Sequence, residues 1–194
     1  MNLIYLHGFQ SSSNSIKGQL LKQYVGLSSE MHIHLPDLNM PPLQTIEKLN
    51  NLITDLQDVA LVGSSLGGFY ATHLVAKHGV PAVLINPAMR PWKLFKDLFG
   101  DEHLPYKVSD TWTLDDAQLK DLEQLAVPFV QDADKLLVLL QQGDEVLDYR
   151  EAERYYSAVS HQSMLITEAN GNHAMDNFAE KIPMVLRFLS DSIK

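Results

Sequence analysis

The chain has 194 residues, of which 45% are hydrophobic and 20% charged, a size and balance expected of one globular domain with a sizeable core. A net charge of −9 argues against nucleic acid or an anionic membrane as a main partner. With no cysteine there is no disulfide framework, no cysteine nucleophile and no thiolate metal site.

The N-terminus, MNLIYLHGF, has no basic segment and only a short apolar run, so it does not read as a signal peptide. No apolar run approaches the ~20 residues of a membrane span, and a cytoplasmic protein is expected. Leu3–Leu6 is the first predicted strand. Asn14 is placed to cap a helix over Ser15–Val25, with Ile16, Leu20, Leu21 and Tyr24 on one side. Met31–Leu35 is a second strand, ended by Pro36. Pro41-Pro42 opens a helix over Leu43–Leu56, with Leu43, Ile46, Leu49, Leu52, Ile53 and Leu56 at helical spacing. A strand at Val59–Val62 leads through a glycine-rich turn into a helix ending near His78. Pro81–Ile85 is a further buried strand, followed by Asn86-Pro87.

The rhythm then changes over an insert of about 87–134. Arg90-Pro91-Trp92 starts a short helix with Trp92, Phe95, Leu98 and Phe99 inward, and Asp115–Leu125 reads as another. No strand is predicted in the insert. Lys135–Leu140 restores the strand pattern. A helix over Tyr149–Ala158, a strand at Ser163–Thr167 and a helix from Asn177 to about Ser190 complete the chain. Strands separated by helices predict a mostly parallel sheet of about six strands with helices on both faces. Ligands in such sheets bind beyond the carboxyl ends of the strands, so the loops that follow strands carry the candidate chemistry.

After the third strand comes Gly63-Ser64-Ser65-Leu66-Gly67, a G-x-S-x-G turn between strand and helix. Such a turn lifts a nucleophilic serine above the sheet. Only Ser65 has glycine at both −2 and +2, so it is the candidate rather than Ser64. The two glycines lack Cβ atoms and let strand, turn and helix crowd together.

After the first strand comes His7-Gly8-Phe9. The Phe9 and Leu66 backbone N–H groups are candidate oxyanion donors. The bland alternative is an ordinary turn with His7 packed in place. After the Lys135–Leu140 strand, Asp144 is the candidate acid that orients a histidine, with Glu145 and Asp148 as rivals. After the Ser163–Thr167 strand, His173 is placed on a loop as general base toward Ser65. The other histidines read as structural: His73 and His78 lie in a helix, His103 and His161 in connecting segments. His32 and His34 alternate on a strand and loosely suggest a metal pair, but no third ligand is spaced to complete it. The insert is the natural lid and acyl pocket, with Met89, Trp92, Phe95 and Phe99 as candidate lining and His7 as a further pocket candidate. Equally, these aromatics only pack the insert onto the body.

With serine, acid and histidine in this order, the chain resembles the α/β-hydrolase superfamily. YLHGF, GSSLGGFYAT, INPAMRP, LLQQGDEVLDYR and GNHA resemble the small YqiA-type esterase family over nearly the whole length. The resemblance implies a three-layer α/β-hydrolase fold with a short helical lid. It also implies hydrolysis of carboxylic esters, or of acyl thioesters, with Ser65, Asp144 and His173 as the matching positions. No metal or organic cofactor is expected, and the partner is a small acyl substrate. Three features depart from the superfamily pattern. The His-Gly-Phe strand starts the chain, so two antiparallel edge strands are absent. The oxyanion loop is a single His-Gly. Glycine directly precedes Asp144, where the acid more usually follows two or three residues later. The rival functions are an amidase or peptidase on the same three residues, and a non-catalytic binding protein that keeps the fold.

Overall fold

The computed structural model describes residues 1–27, 30–100, 104–129, 132–158 and 163–193, so His103 and His161 lie outside the described residues. The elements run β1 (Asn2–Leu6), α1 (Ile16–Val25), β2 (His32–His34), α2 (Pro42–Asp55), β3 (Val59–Ser64), α3 (Leu66–His78) and β4 (Ala82–Ile85). They continue with α4 (Pro91–Phe99), β5 (Tyr106–Lys107), β6 (Thr113–Leu114), α5 (Asp116–Leu125), β7 (Leu136–Gln141), α6 (Tyr149–Tyr156), β8 (Met164–Glu168) and α7 (Phe178–Ser192).

Six strands form one sheet in the order β2-β1-β3-β4-β7-β8, and every pairing in it is parallel. The period of two along each strand splits its side chains between two apolar layers. Val59 and Leu61 join one core with Ile4, Leu84 and Val138, covered by α2, α3, α5 and α6. Ala60 and Val62 join the other with Leu3, Val83 and Leu137, covered by α1 and α7. Both faces are therefore dry, which explains why these strands read as unbroken apolar runs. The order reverses between β1 and β3, because β2 lies on one side of β1 and all later strands on the other. Such a switch point leaves a crevice at the carboxyl ends of the two strands.

The helices sit where the spacing predicts, but several of their faces do not. Asn14 does not cap α1: Ser15 holds the N-cap position without a side-chain bond, and the Asn14 N–H donates to Ser12 Oγ. Ile16 is 80% exposed, and the buried face is Gly18, Leu21 and Val25. A Cβ on Gly18 would lie 3.1 Å from the Tyr5 ring and 3.3 Å from Leu35, so the helix docks through its smallest residue. Leu43 and Leu98 are likewise exposed, at 51% and 60%. The insert, predicted without strands, contains the antiparallel pair β5–β6. Two-residue strands are too short to show alternation.

The turn after β3 is built by exclusion. A Cβ on Gly67 would lie 2.0 Å from the Leu6 carbonyl oxygen, and one on Gly63 would lie 2.4 Å from that of Gly67. The start of α3 thus rests directly on the end of β1. Ser65 makes the turn with φ 54° and ψ −118°, backbone that a non-glycine residue adopts only at a cost of about 1–3 kcal/mol. Gly67→Ala is expected to lose about 3 kcal/mol of stability, since backbone rather than a flexible side chain blocks the methyl. Gly26→Ala, where the nearest atom stands at 3.2 Å, is expected to change stability by under about 1 kcal/mol. Urea titration of the two variants checks the contrast.

Candidate active site

The sheet register gathers the loops. Leu6 pairs with Gly63, Ser64 with Ile85, and Ile85 with Leu139, so the loops after β1, β3, β4 and β7 leave at one level. The Ser65 N–H donates to the Ile85 carbonyl at 3.0 Å, and the Ala88 N–H donates to the Ser65 carbonyl at 3.1 Å. Ser64 is buried as the last residue of β3, whereas Ser65 stands above it. A Cβ on Gly8 would lie 3.2 Å from Ser65 Cβ and 3.8 Å from its Oγ, so the first loop passes directly over the serine.

His173 Nε2 lies 3.0 Å from Ser65 Oγ. Its Nδ1 lies 2.8 Å from Asp144 Oδ2. The Asp144 side chain is 1% exposed, and its other oxygen accepts the Val146 and Leu147 N–H groups at 2.9 and 2.8 Å. That arrangement fixes the carboxylate so that one oxygen faces the ring. The rivals are occupied elsewhere: Asp148 caps α6 by accepting the Arg150 N–H at 3.0 Å, and Glu145 accepts the His173 backbone N–H at 3.0 Å. A serine hydroxyl with a hydrogen-bonded imidazole, itself oriented by a carboxylate, can be deprotonated as it attacks an electrophile.

His7 is not a pocket residue. It is 2% exposed, its Nε2 accepts the Leu38 N–H at 2.9 Å, and its Nδ1 contacts the Gly8 carbonyl at 2.8 Å. It ties the first loop to the chain after β2, the packed-in-place alternative. Phe95 lines neither the cleft beside Ser65 nor the cavity beneath α4: it is 2% exposed and packs tilted against Phe9 with ring centroids 4.4 Å apart. Phe99 and Trp112 close around the same ring at 6.1 and 5.8 Å. Met89 and Trp92 line a cavity of about 550 Å³ with Phe69, Leu125 and Tyr155, and neither Ser65 nor His173 borders it. The cleft those two do border holds about 410 Å³ and is lined by Phe9, Ser11, Asn14 and Lys17. Burial lowers the Lys17 pKa, with Asp176 opposing the shift, and pushes the Tyr5 phenol at the cleft wall up to about 12.

His32 is exposed on the edge strand β2, and three further histidines are structural partners. His34 Nε2 contacts Asn2 Oδ1, His73 Nδ1 the Leu125 carbonyl, and His78 Nε2 the Asn50 Oδ1. Burial lowers the pKa of all three. Among the described residues no three His, Cys, Asp or Glu side chains converge as metal ligands, and no helix is long and apolar enough to cross a membrane.

Two buried amides escaped the sequence reading. Asn86 and Gln141, 3% and 2% exposed, sit just after β4 and at the end of β7. The available signal was a polar side chain closing an apolar strand, which buries only with full hydrogen bonding. Gln141 Nε2 donates to Glu168 Oε2 at 2.7 Å, and Lys181 pairs with the other carboxylate oxygen. Lys181, then Gln141, hold the Glu168 carboxyl at about 2. A depressed folded pKa means this stabilisation is complete above the ordinary value of 4.5 and is lost as pH falls toward about 2. Glu168→Gln is therefore expected to flatten the acid limb of stability across that window, read from urea midpoints at pH 6 and pH 3.

Residues 2–190 match the family described as "Uncharacterised protein family (UPF0227)". A UPF0227 protein of Shewanella woodyi (strain ATCC 51908 / MS32) is 26% identical over 163 residues, covering 79% of this chain and 84% of that one. Among solved structures, Est1E from Butyrivibrio proteoclasticus, with ferulic acid bound, superposes with a TM-score of 0.75 at 16% identity. It covers 99% of this chain and 89% of Est1E. The mouse alpha/beta hydrolase domain-containing protein 10 also gives 0.75 at 16% identity, over 100% and 90%. The architecture is the α/β-hydrolase fold, here with an all-parallel sheet of six strands.

Proposed function

We propose that this chain, which belongs to the UPF0227 family, is a serine hydrolase that cleaves carboxylic esters through an acyl-enzyme. The observation that carries the reading is the hydrogen-bonded series Ser65 Oγ, His173 Nε2, His173 Nδ1 and Asp144 Oδ2, at 3.0 and 2.8 Å, on three loops beyond the strand ends. Ser65 Oγ attacks the carbonyl carbon while His173 Nε2 takes its proton, and Asp144 stabilises the resulting imidazolium. The Phe9 and Leu66 N–H groups receive the oxyanion. Leu66 opens α3, where the first N–H groups have no helical partner and favour negative charge. Collapse breaks the bond to the leaving alkoxide, which takes the proton from His173. Water, deprotonated by the same nitrogen, then attacks the acyl-enzyme and releases the acid.

The walls of the cleft support a short acyl group. The cleft's open volume is about 410 Å³, Phe9, Ile16 and Lys17 border it beside small polar side chains, and the larger cavity beneath α4 is bordered by neither Ser65 nor His173. Thioester and amide bonds engage the same atoms, and relative turnover on matched substrates ranks the three.

A fluorophosphonate is expected to label Ser65 alone, and mass spectrometry of the digested adduct locates it; a labelled site elsewhere overturns the assignment. Ser65→Ala and His173→Ala are expected to lower kcat on a short acyl ester by about 10⁴-fold or more. Asp144→Asn is expected to cost on the order of 10³- to 10⁴-fold by releasing the imidazole orientation. Asp148→Asn keeps a cap and is expected to leave kcat within about twofold. Across a panel of p-nitrophenyl esters, kcat/KM is expected to fall as the acyl chain lengthens.

A further inference from the structure

We propose that Asn86 and Gln141 are positioning residues that hold the His173 loop at the height where its imidazole reaches both Ser65 and Asp144. The inference rests on the serine hydrolase reading.

The loop between β8 and α7 has no regular secondary structure, so its backbone polar groups need partners from outside. Those partners are side chains. Asn86 Nδ2 donates to the Asn172 carbonyl and to the His173 carbonyl, each at 3.1 Å. Gln141 Oε1 accepts the Asn172 N–H at 2.8 Å. Glu145 accepts the His173 N–H, and Lys17 Nζ donates to the Ala174 carbonyl at 2.6 Å. Every one of these contacts falls within one residue of His173.

Asn86 is committed to the task by its own partners. Its Oδ1 accepts the Gln141 N–H at 3.0 Å, which fixes the amide orientation and leaves Nδ2 as the donor facing the loop. Its backbone N–H donates to the Leu139 carbonyl at 2.9 Å, and its φ of 40° is one that asparagine tolerates. Gln141 is oriented in the same way, since its Nε2 donates to Glu168 and to Asn177 Oδ1 at 2.8 Å. The chain of bonds runs from the rigid ends of β4 and β7 to the backbone that carries the imidazole. It also gives a role to the asparagine of INPAMRP and the first glutamine of QQGDEV, which the reacting atoms leave unexplained.

Two readouts separate positioning from simple packing. Asn86→Asp keeps the shape and the acceptor for the Gln141 N–H but turns an oxygen toward two carbonyls. We expect kcat to fall about 10- to 100-fold with KM within about twofold, the cost of sub-ångström misplacement. We also expect slower labelling of Ser65 and a shift of the downfield proton resonance of the His173–Asp144 bond. Lowering the pH is expected to restore part of the activity relative to the unmodified protein, because a protonated carboxyl donates again. The second readout uses the unmodified protein and needs neither a folded variant nor turnover. The Asn172 and His173 amides are expected to exchange at least about tenfold more slowly than in an unstructured peptide. A folded Asn86→Asp with unchanged kcat and resonance overturns the proposal, and so does unprotected exchange at those two amides. Failure of the hydrolase reading looks different, because Ser65→Ala would then retain full turnover while the exchange protection stands.

Discussion

Gly67 sits against the end of β1 with no room for a methyl group, and the geometry of the site descends from that contact. Because α3 must start on top of Leu6, the chain leaving β3 has one residue in which to reverse. That residue is Ser65, and the strain at its φ of 54° is stored there because the packing on either side overdetermines it. The same closeness brings the Gly8–Phe9 loop across the serine and starts α3 at the residue after it. The nucleophile candidate and both candidate donors therefore share one cause. The cost of the strained turn, about 1–3 kcal/mol, is small beside a sheet whose two faces are both buried.

The histidine is placed by different means. Ser65 is positioned by backbone alone, through strand pairing and a helix start. His173 lies on an irregular loop, and irregular loops have no ladder of their own to fix them. Its height is therefore delegated to side chains rooted in the sheet and in the first helix: Asn86, Gln141, Glu145 and Lys17. Those amides are buried on strand ends, where hydrogen bonds are worth more than in water and an unmade one is costly. Glu168 and Lys181 extend the same network toward α7, so the helix after the loop is tied to the strand before it.

The legible parts of the sequence were those in which one residue type has one physical use. Strands buried on both faces appeared as apolar runs, and the turn glycines were diagnostic because nothing larger fits. The helix faces were less legible, because periodicity counts apolar side chains and misses docking through a small one. Gly18 joins Leu21 and Val25 in the buried face of α1, while Ile16, two residues before it, points to solvent. The choice between Asp144 and Asp148 was open for a reason that the sequence itself contains. Asp148 with Glu151 three residues on reads as a helix start, and a carboxylate that caps α6 is not available to orient a ring. Asn86 and Gln141 stayed unseen because a polar residue at a strand end looks like a loop residue until its partners, far away in the chain, are known.

The insert between β4 and β7 packs onto the loop after β1. Its aromatics were candidates for a lid with an acyl pocket or for packing alone. Phe95, Phe99 and Trp112 enclose the Phe9 ring, and Phe99 stacks on Tyr106 of the hairpin at 3.9 Å. Each such pair contributes about 0.5–1.5 kcal/mol beyond the area it buries. Phe9 is the residue whose backbone N–H is proposed to receive the oxyanion. Holding its ring on three sides fixes that N–H before substrate arrives, which is what an oxyanion donor needs to act without reorganisation. The insert thus braces the loop that carries a candidate donor. The cleft beside Ser65 is bordered instead by the first turn of α1, where Ile16 is exposed at the edge and Lys17 lines the wall. Under the proposed ester hydrolysis, selectivity among acyl groups is expected to follow changes in the β1–α1 loop more closely than changes in α4.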